Sequence, residues 1–402
     1  MSGIVIVGGG QAGASLAFKL RALGHDGPVT LVGEEPEPPY QRPPLSKAYL
    51  LGEMARERLY LRPETAYAEK DITLRTGARV SAIDTGARTV SLGGEVLGYD
   101  HLALTTGSRP RRLPAAIGGD LGGVYTVRTL ADIDTMASEF REGARLLIVG
   151  GGYIGLEAAA VAARRGLGVT LVEAADRILQ RVAAPQTSDW FRALHRAHGV
   201  DIREGVGLAR LTGEDRVTGA ELSNGEALAV DFVIVGVGIA PETALAEAAG
   251  IVCDNGISVD AYGRTSAPGV WAAGDCAAFE YRNLGRIRLE SVQNAIDQSE
   301  TVAANIAGQE QPYDPSPWFW SDQYDVKLQI AGLSAGYDRL VVREGGGARS
   351  HWYYEGDTLR ALDAMNDSRA YMVGKRLIEA GKSPDPAVIA DASADLKPLL
   401  KA

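Results

Sequence analysis

The chain writes the same strand, glycine turn, helix and strand twice. The first copy is "GIVIVGGGQAGASLAFKLRALGHDGPVTLVGEE" (Gly3 to Glu35); the second is "RLLIVGGGYIGLEAAAVAARRGLGVTLVE" (Arg145 to Glu173). In each, a nearly continuous apolar run leads into the turn, as in a strand buried on both faces. The glycines fall at Gly8, Gly10 and Gly13, and again at Gly150, Gly152 and Gly155. In such a turn the first glycine permits the tight bend. The second lets backbone approach a pyrophosphate, and the third lets helix and strand pack closely. The phosphates then lie at the positive end of the helix. A merely structural βαβ turn is the plain alternative for one copy and a poor one for two.

A carboxylate should follow the second strand of each unit to bind ribose hydroxyls. In the first unit Glu34 or Glu35 is in place; in the second, Glu173 ends the strand. A carboxylate at Glu173 accepts two bonds from a ribose diol and repels a 2′-phosphate, favouring NADH over NADPH. Arg177 stands near enough in sequence to oppose that preference. Two cradles imply two dinucleotides, one of which can be FAD. A flavin takes hydride from a nicotinamide and can release electrons singly.

The 402 residues leave room for two or three domains. A net charge of −10 argues against general nucleic-acid binding and a basic membrane surface. No apolar run approaches the roughly 18 residues of a membrane span, and the start of the chain lacks a basic leader. Cys253 and Cys276 are the two cysteines, 23 positions apart. That excludes a CxxC or Cx4C redox pair, a disulfide framework and an iron–sulfur ligand set. It fits a reducing cytoplasm. No metal site is expected.

"EPEPPYQRPPLSK" (Glu35 to Lys47) carries five prolines and cannot be regular. A long rigid loop in a compact domain is usually functional. After "YDPSPWFWSD" the composition shifts to short β-like runs of a small α+β domain. The expected architecture is α/β: two Rossmann-like three-layer nucleotide-binding domains plus a small C-terminal α+β domain. The expected boundaries are 1–110 and 242–318 for a split FAD domain, 111–241 for an inserted NAD domain, and 319–402 for the C-terminal domain.

The first cradle, "TTGSRP", "GGGYIGLE", "GVGIAP" and "AAGDCA" occur here in the order that resembles the two-dinucleotide flavoprotein reductases of the glutathione-reductase-like group. Within that group, "PPLSKAYL" and "PWFWSDQY" are similar to the ferredoxin reductases of oxygenase systems. The resemblance covers essentially the whole chain. It implies that Gly8, Gly10, Ala12, Gly13 and Glu34 hold the FAD pyrophosphate and adenosine ribose. It further implies Val80 at the adenine, Arg128 near the FAD, Asp275 at the ribityl chain and the Val292 backbone at the flavin's pyrimidine end. Gly150, Gly152, Tyr153, Ile154, Gly155, Glu173, Gly236 and Gly238 would bind NADH.

The resemblance also implies that Lys47 and Glu157 meet beside the flavin, the ammonium favouring reduced flavin and the carboxylate offsetting its desolvation. Otherwise Lys47 reads as a snorkelling surface lysine. Trp320 would pack on the acceptor side of the flavin, or serve as an interface tryptophan. The implied activity is electron transfer from NADH through FAD to a [2Fe–2S] ferredoxin serving a cytochrome P450 or a dioxygenase. An acidic ferredoxin docking on a net negative chain requires a local basic patch, for which Arg62, Arg339 and Arg343 are candidates. Rubredoxin, a quinone or an ascorbyl radical are alternative acceptors, and a redox-sensing flavoprotein is an alternative of another class.

Overall fold

The computed structural model describes residues 3–401. The chain gathers into two compact units, each pieced together from separated stretches. One takes the chain up to Arg42, then Ala55–Arg109 and Ile239–Pro317. The other takes Pro43–Met54, Pro110–Gly238 and the stretch beginning at Trp318. Pro43–Met54 thus packs with the second unit, apart from the stretches on either side of it. The buried bonds of Ser46 and Lys47, described below, hold it there.

Each unit is built on a parallel sheet with the same neighbour order. In the first, Ile72–Arg75, Val29–Val32, Gly3–Val7 and Glu95–Leu104 lie side by side, and Val270–Ala272 pairs with the last. In the second the order is Asp201–Glu204, Gly168–Glu173, Arg145–Val149, Phe232–Val235 and Val124–Tyr125. Each unit adds an antiparallel three-strand piece: Val80–Asp84 and Thr89–Leu92 with the start of Glu95–Leu104, and Leu208–Gly213, Val217–Leu222 and Ala227–Ala229.

The first core explains its strand sequence. Ile4 and Ile6 face Leu16, Leu20, Leu31, Trp271 and Val302 in one buried cluster. Each such side chain contributes roughly 1.5–3 kcal/mol by leaving water. Small residues let the helices Gln11–Ala22 and Val292–Ile306 close on the sheet and on each other, with Ala17 and Ala303 fully buried.

The C-terminal stretch forms five antiparallel strands in the order Trp318–Gln323, Val326–Gly332, Thr358–Met365, Ala348–Glu355 and Arg339–Gly345. The helix Ser368–Glu379 covers this sheet, capped by the Asp367 carboxylate. A Cβ on Gly374 would stand 2.4 Å from Leu362 Cδ2, so a larger residue there would have to push the Leu362 side chain aside.

A buried polar seam joins this sheet to the helix Pro185–Ala197 within the second unit. The Thr187 hydroxyl donates to Asp363 Oδ2 at 2.8 Å, and the Tyr353 hydroxyl donates to the same oxygen. Arg349 Nε donates to His351 Nε2 at 2.9 Å, so the ring proton lies on Nδ1 and donates to Thr187 Oγ1 at 2.7 Å. The Ala184 N–H donates to the Tyr353 hydroxyl oxygen at 3.1 Å. Burial pushes the Asp363 pKa up to about 6 against its two hydroxyl donors. Burial, with Arg349 beside it, pulls His351 down to about 4.

These shifts act oppositely on stability. A histidine depressed to about 4 is protonated in the unfolded chain but not the folded one below pH 6.5, so stability falls as pH drops through that window. His195, buried and also pulled down to about 4, adds to the fall. Each histidine contributes on the order of 3 kcal/mol. Asp363, raised to about 6, binds its proton first in the folded state and offsets about one histidine as pH falls from 6 to 4. Thermal unfolding at pH 7 and pH 5 should therefore show a larger drop in Tm for Asp363→Asn than for the unmodified chain. An equal drop would show that Asp363 exerts no opposing effect.

Candidate active site: two dinucleotide cradles and a buried ion pair

The two cradles repeat each other closely. Gly8 and Gly150 have φ of +125° and +110°. A Cβ on Gly8 would stand 2.1 Å from the Thr105 carbonyl oxygen; one on Gly150 would stand 2.4 Å from that of Gly236. A Cβ on Gly13 or on Gly155 would stand 2.1 Å from the carbonyl oxygen of Gly8 or Gly150. By contrast, a Cβ on Gly10 or Gly152 would meet nothing within 4 Å. These middle glycines cap the helices Gln11–Ala22 and Tyr153–Arg164 in extended conformation, with no side-chain cap. The first N–H groups of each helix therefore face open space beside a glycine, as a pyrophosphate requires. The residues fit a dinucleotide in both units.

In the first unit a second helix start converges on the cradle. A Cβ on Gly274 would lie 3.0 Å from Ala12 Cβ and 3.9 Å from Ala295, which places Gly274 between the first turns of Gln11–Ala22 and Val292–Ile306. Asp275 follows it, and the Ser108 hydroxyl donates to its Oδ2 at 2.9 Å. Val292 is the first residue of its helix, behind the Ser291 cap. Glu34 pairs with Arg79 at 3.2 Å, and both side chains are largely exposed, at 68% and 78%. Glu35 is more enclosed: Arg42 Nη2 donates to its Oε1 at 2.6 Å, and the Tyr40 hydroxyl donates to Oε2. Gly77 and Ala78 donate their N–H groups to the carbonyls of Glu35 and Gly33, which brings the chain entering Val80–Asp84 past the end of Val29–Val32.

Sequence reasoning missed Arg42. Burial opposes its charge, but Tyr40, Glu35 and Asp275 raise its pKa further. It is a cation fixed beside Asp275, well suited to an anionic cofactor. Its place in a proline-rich loop was the available signal.

In the second unit Glu173 Oε2 accepts the Gly151 N–H at 2.7 Å, and Oε1 accepts the Ala175 N–H at 2.8 Å. The carboxylate is thus locked to the glycine turn while each oxygen keeps a free lone pair. Arg177 is committed elsewhere, donating to the Ser188 hydroxyl at 2.6 Å and the Gln180 carbonyl at 3.3 Å. Gly236 forms the cradle wall, and Gly238, at φ +100°, accepts the Arg111 N–H. Ile154 is exposed at 40%. Tyr153 packs on Phe319 with ring centroids 4.9 Å apart.

Lys47 and Glu157 do meet. Lys47 Nζ lies 2.8 Å from Glu157 Oε1, with side-chain exposures of 18% and 6%. Lys47 kinks the wide, π-helical turn Leu45–Tyr49, its φ of −132° and ψ of −113° departing from helical values. The Ser46 hydroxyl donates to Glu157 Oε2 at 2.8 Å, and the Ser321 hydroxyl donates to Oε1 at 2.7 Å. Trp320 points from the opposite face of its strand, with Trp318 as neighbour at 5.6 Å. Arg128 belongs to the second unit, where its N–H donates to the Asp132 carboxylate that caps the helix Leu130–Met136.

Three other features bear on chemistry. The Cys276 thiol is fully buried and donates to the carbonyls of Leu104 and Ala273, and burial pushes its pKa up. It is a poor nucleophile. Arg343, a docking candidate by its charge alone, spends its guanidinium on the carbonyls of Ile389, Asp391, Ala392 and Ala394. Among the described residues no cluster of metal-binding side chains occurs, and no helix is long and apolar enough to cross a membrane.

Comparison with known proteins agrees with this geometry. Residues 2–299 match the family model "Pyridine nucleotide-disulphide oxidoreductase", and residues 318–400 match "Reductase C-terminal". The chain is 45% identical to the 5,5′-dehydrodivanillate O-demethylase ferredoxin reductase subunit of a Sphingobium species, over 99% of this chain and 98% of the relative. It is 42% identical to putidaredoxin reductase of Pseudomonas putida, over 99% and 97%. It superimposes on the reductase in the crystal structure of a covalent putidaredoxin reductase–putidaredoxin complex with a TM-score of 0.96 and 41% identity, covering 100% and 98% of the two chains.

Two outcomes follow from the cradles. With Arg177 occupied and Glu173 fixed, NADH should exceed NADPH in kcat/KM by about a hundredfold, the worth of two lost charged hydrogen bonds. Glu173→Gln should narrow the gap to about tenfold. Steady-state kinetics showing equal or better use of NADPH would remove Glu173 from this role. Asp275→Ala should lower the flavin retained after dialysis, read as the ratio of visible flavin absorbance to protein absorbance; full retention would count against Asp275.

Proposed function

This chain belongs to the pyridine nucleotide-disulphide oxidoreductases, and we propose that it is an FAD-dependent NADH:ferredoxin reductase whose [2Fe–2S] ferredoxin serves a cytochrome P450 or a ring-hydroxylating oxygenase. The observation that carries the reading is the pair of matching cradles in a chain similar over nearly its full length to ferredoxin reductases. Its cytoplasmic setting rests on two unpaired cysteines and the reducing chemistry they suit.

FAD, when bound, supplies hydride acceptance from NADH and single-electron release. The remaining roles belong to the chain. Gly8, Gly10, Ala12 and Gly13 hold the FAD pyrophosphate, and Glu34 its adenosine ribose. The Val80 backbone meets the adenine, Asp275 orients the ribityl chain, the Val292 N–H faces the flavin's pyrimidine end, and Arg128 adds a cation. Gly150, Gly152, Tyr153, Ile154, Gly155, Glu173, Gly236 and Gly238 hold NADH. Lys47 places a fixed positive charge whose field favours added electrons, and Glu157 offsets the desolvation of that charge. Trp320 lines the acceptor side.

The buried, unreactive state of Cys276 supports electron exit without a thiol intermediate in this chain. The family's disulphide chemistry needs a second cysteine within reach, and the sequence has no such pair.

The half-reactions should separate. Lys47→Ala should slow anaerobic flavin bleaching by NADH about tenfold or more before any carrier is added, a loss of at least about 1.4 kcal/mol of barrier stabilisation. Unchanged bleaching would remove Lys47 from the chemistry. With the intact protein, NADH-driven reduction of a panel of [2Fe–2S] ferredoxins should give sustained turnover. Turnover with rubredoxin or a small quinone and with no ferredoxin in the panel would overturn the acceptor assignment.

A further inference from the structure

The Glu157 carboxylate accepts from three groups contributed by two other segments. Ser46 and Lys47 belong to the loop Pro43–Met54, and Ser321 belongs to the first strand of the C-terminal sheet. The strand and helix match in pitch. Alternate strand residues Phe319, Ser321 and Gln323 repeat every ~6.7 Å, and Tyr153 and Glu157, four apart on their helix, are separated by ~6 Å. Phe319 therefore packs on Tyr153 with tilted rings, and Ser321 meets Glu157.

Behind Ser321 the bonding continues. Gln323 Nε2 donates to Ser321 Oγ at 3.1 Å. Gln323 Oε1 lies 2.8 Å from His195 Nε2, and the Tyr324 hydroxyl lies 3.1 Å from His195 Nδ1. Ser321, Gln323 and His195 are all fully buried. The acceptor-only carboxylate orders the whole chain. Ser321 must give its proton to Glu157, so its oxygen accepts from the Gln323 amide. The Gln323 carbonyl then faces His195, whose proton lies on Nε2, and Nδ1 accepts from Tyr324. Burial pulls the His195 pKa down to about 4, which keeps the ring in the neutral form this order needs.

A lysine ammonium is a point charge on a flexible stem and sets no geometry of its own. Among the described residues its one other contact is long, to the Pro43 carbonyl at 3.4 Å, so the position of Lys47 Nζ follows mainly that of Glu157 Oε1 at 2.8 Å. Ser46 is the neighbour of Lys47 and shares its turn. Ser321 is the donor that ties the carboxylate to a separate, rigid element.

We infer that Ser321, held by Gln323 and His195, is a positioning residue that fixes the Glu157–Lys47 pair and thereby the cation used in hydride transfer. The inference rests on the proposed role of Lys47. Its test is anaerobic stopped-flow reduction of the FAD-loaded protein by NADH, with a dye-coupled titration of the flavin midpoint potential. Ser321→Ala should lower the limiting reduction rate about tenfold, the worth of one hydrogen bond to a charged group. The apparent Kd for NADH should stay within about twofold, and the flavin potential should move negative. Ser321→Thr, which keeps the hydroxyl, should restore most of both.

In a Lys47→Ala background, Ser321→Ala should cost no further rate, because it acts through Lys47. Additive losses, or a rate loss without a shift in potential, would overturn the positioning role. An unchanged rate in Ser321→Ala with a slowed Lys47→Ala would overturn this inference alone; unchanged rates in both would overturn the reading of Lys47 itself. Should the alanine variant shed its flavin, Ser321→Cys, of similar shape and weaker donor strength, carries the same comparison and should give an intermediate rate and potential. A Ser321→Cys protein indistinguishable from the unmodified protein in both readouts would also overturn it.

Discussion

A buried carboxylate organises the second unit. Glu157, 5% exposed, sits mid-helix on a face that must also pack a sheet. Left alone there, its charge would cost several kcal/mol. Three donors relieve that cost, and none is local in sequence: Ser46 and Lys47 lie more than a hundred residues before it and Ser321 more than a hundred after. Satisfying one side chain therefore requires the proline-rich loop and the C-terminal strand to dock on the same helix. This explains why Pro43–Met54 leaves the stretch that precedes it and joins the second unit. Tyr49, donating to Asp134 at 2.7 Å, and Glu53, 3.1 Å from Arg164, add exposed attachments worth little each.

The cradles show a different kind of constraint, one of excluded volume. At Gly13 and Gly155 a methyl group would overlap a backbone oxygen at the same 2.1 Å, although the helices that follow share few residues. The geometry is repeated because the turn leaves no alternative, while the side chains around it diverge. The second strand of one unit ends in Glu173, bonded to its own glycine turn. The corresponding strand of the other ends beside Gly33, whose Cβ would lie 3.3 Å from Gly9 Cα. There the acidic residues are displaced outward, Glu34 to the surface and Glu35 to Arg42.

That contrast marks what the sequence made legible. Glycine spacing, buried strands and the residues beside them are local, so the α/β class, the two nucleotide units and the small α+β module could be read directly. The pairing of Lys47 with Glu157 came only from resemblance, since 110 residues separate them and no periodicity relates a loop lysine to a helix carboxylate. Ser321, Gln323 and His195 carried no signal at all: serine and glutamine are ordinary strand residues, and their importance arises from one buried acceptor. Arg343 shows the converse. As a charge it suggests docking, yet its four backbone acceptors make it a clamp on the C-terminal segment. A formal charge count cannot distinguish a cation available to a partner from one already spent.

The two polar seams of the C-terminal sheet differ in what they can tolerate. The Asp363 seam ends on hydroxyls, which can donate or accept, so its carboxyl can take a proton without stranding a neighbour. The Glu157 seam ends on an ammonium, which has no acceptor. Every donor in that seam, and in the chain behind Ser321, points toward the one carboxylate. The first seam can thus act as a reservoir that moderates stability as pH falls. In the second, buried and fully ordered partners are the means by which one positive charge keeps one position.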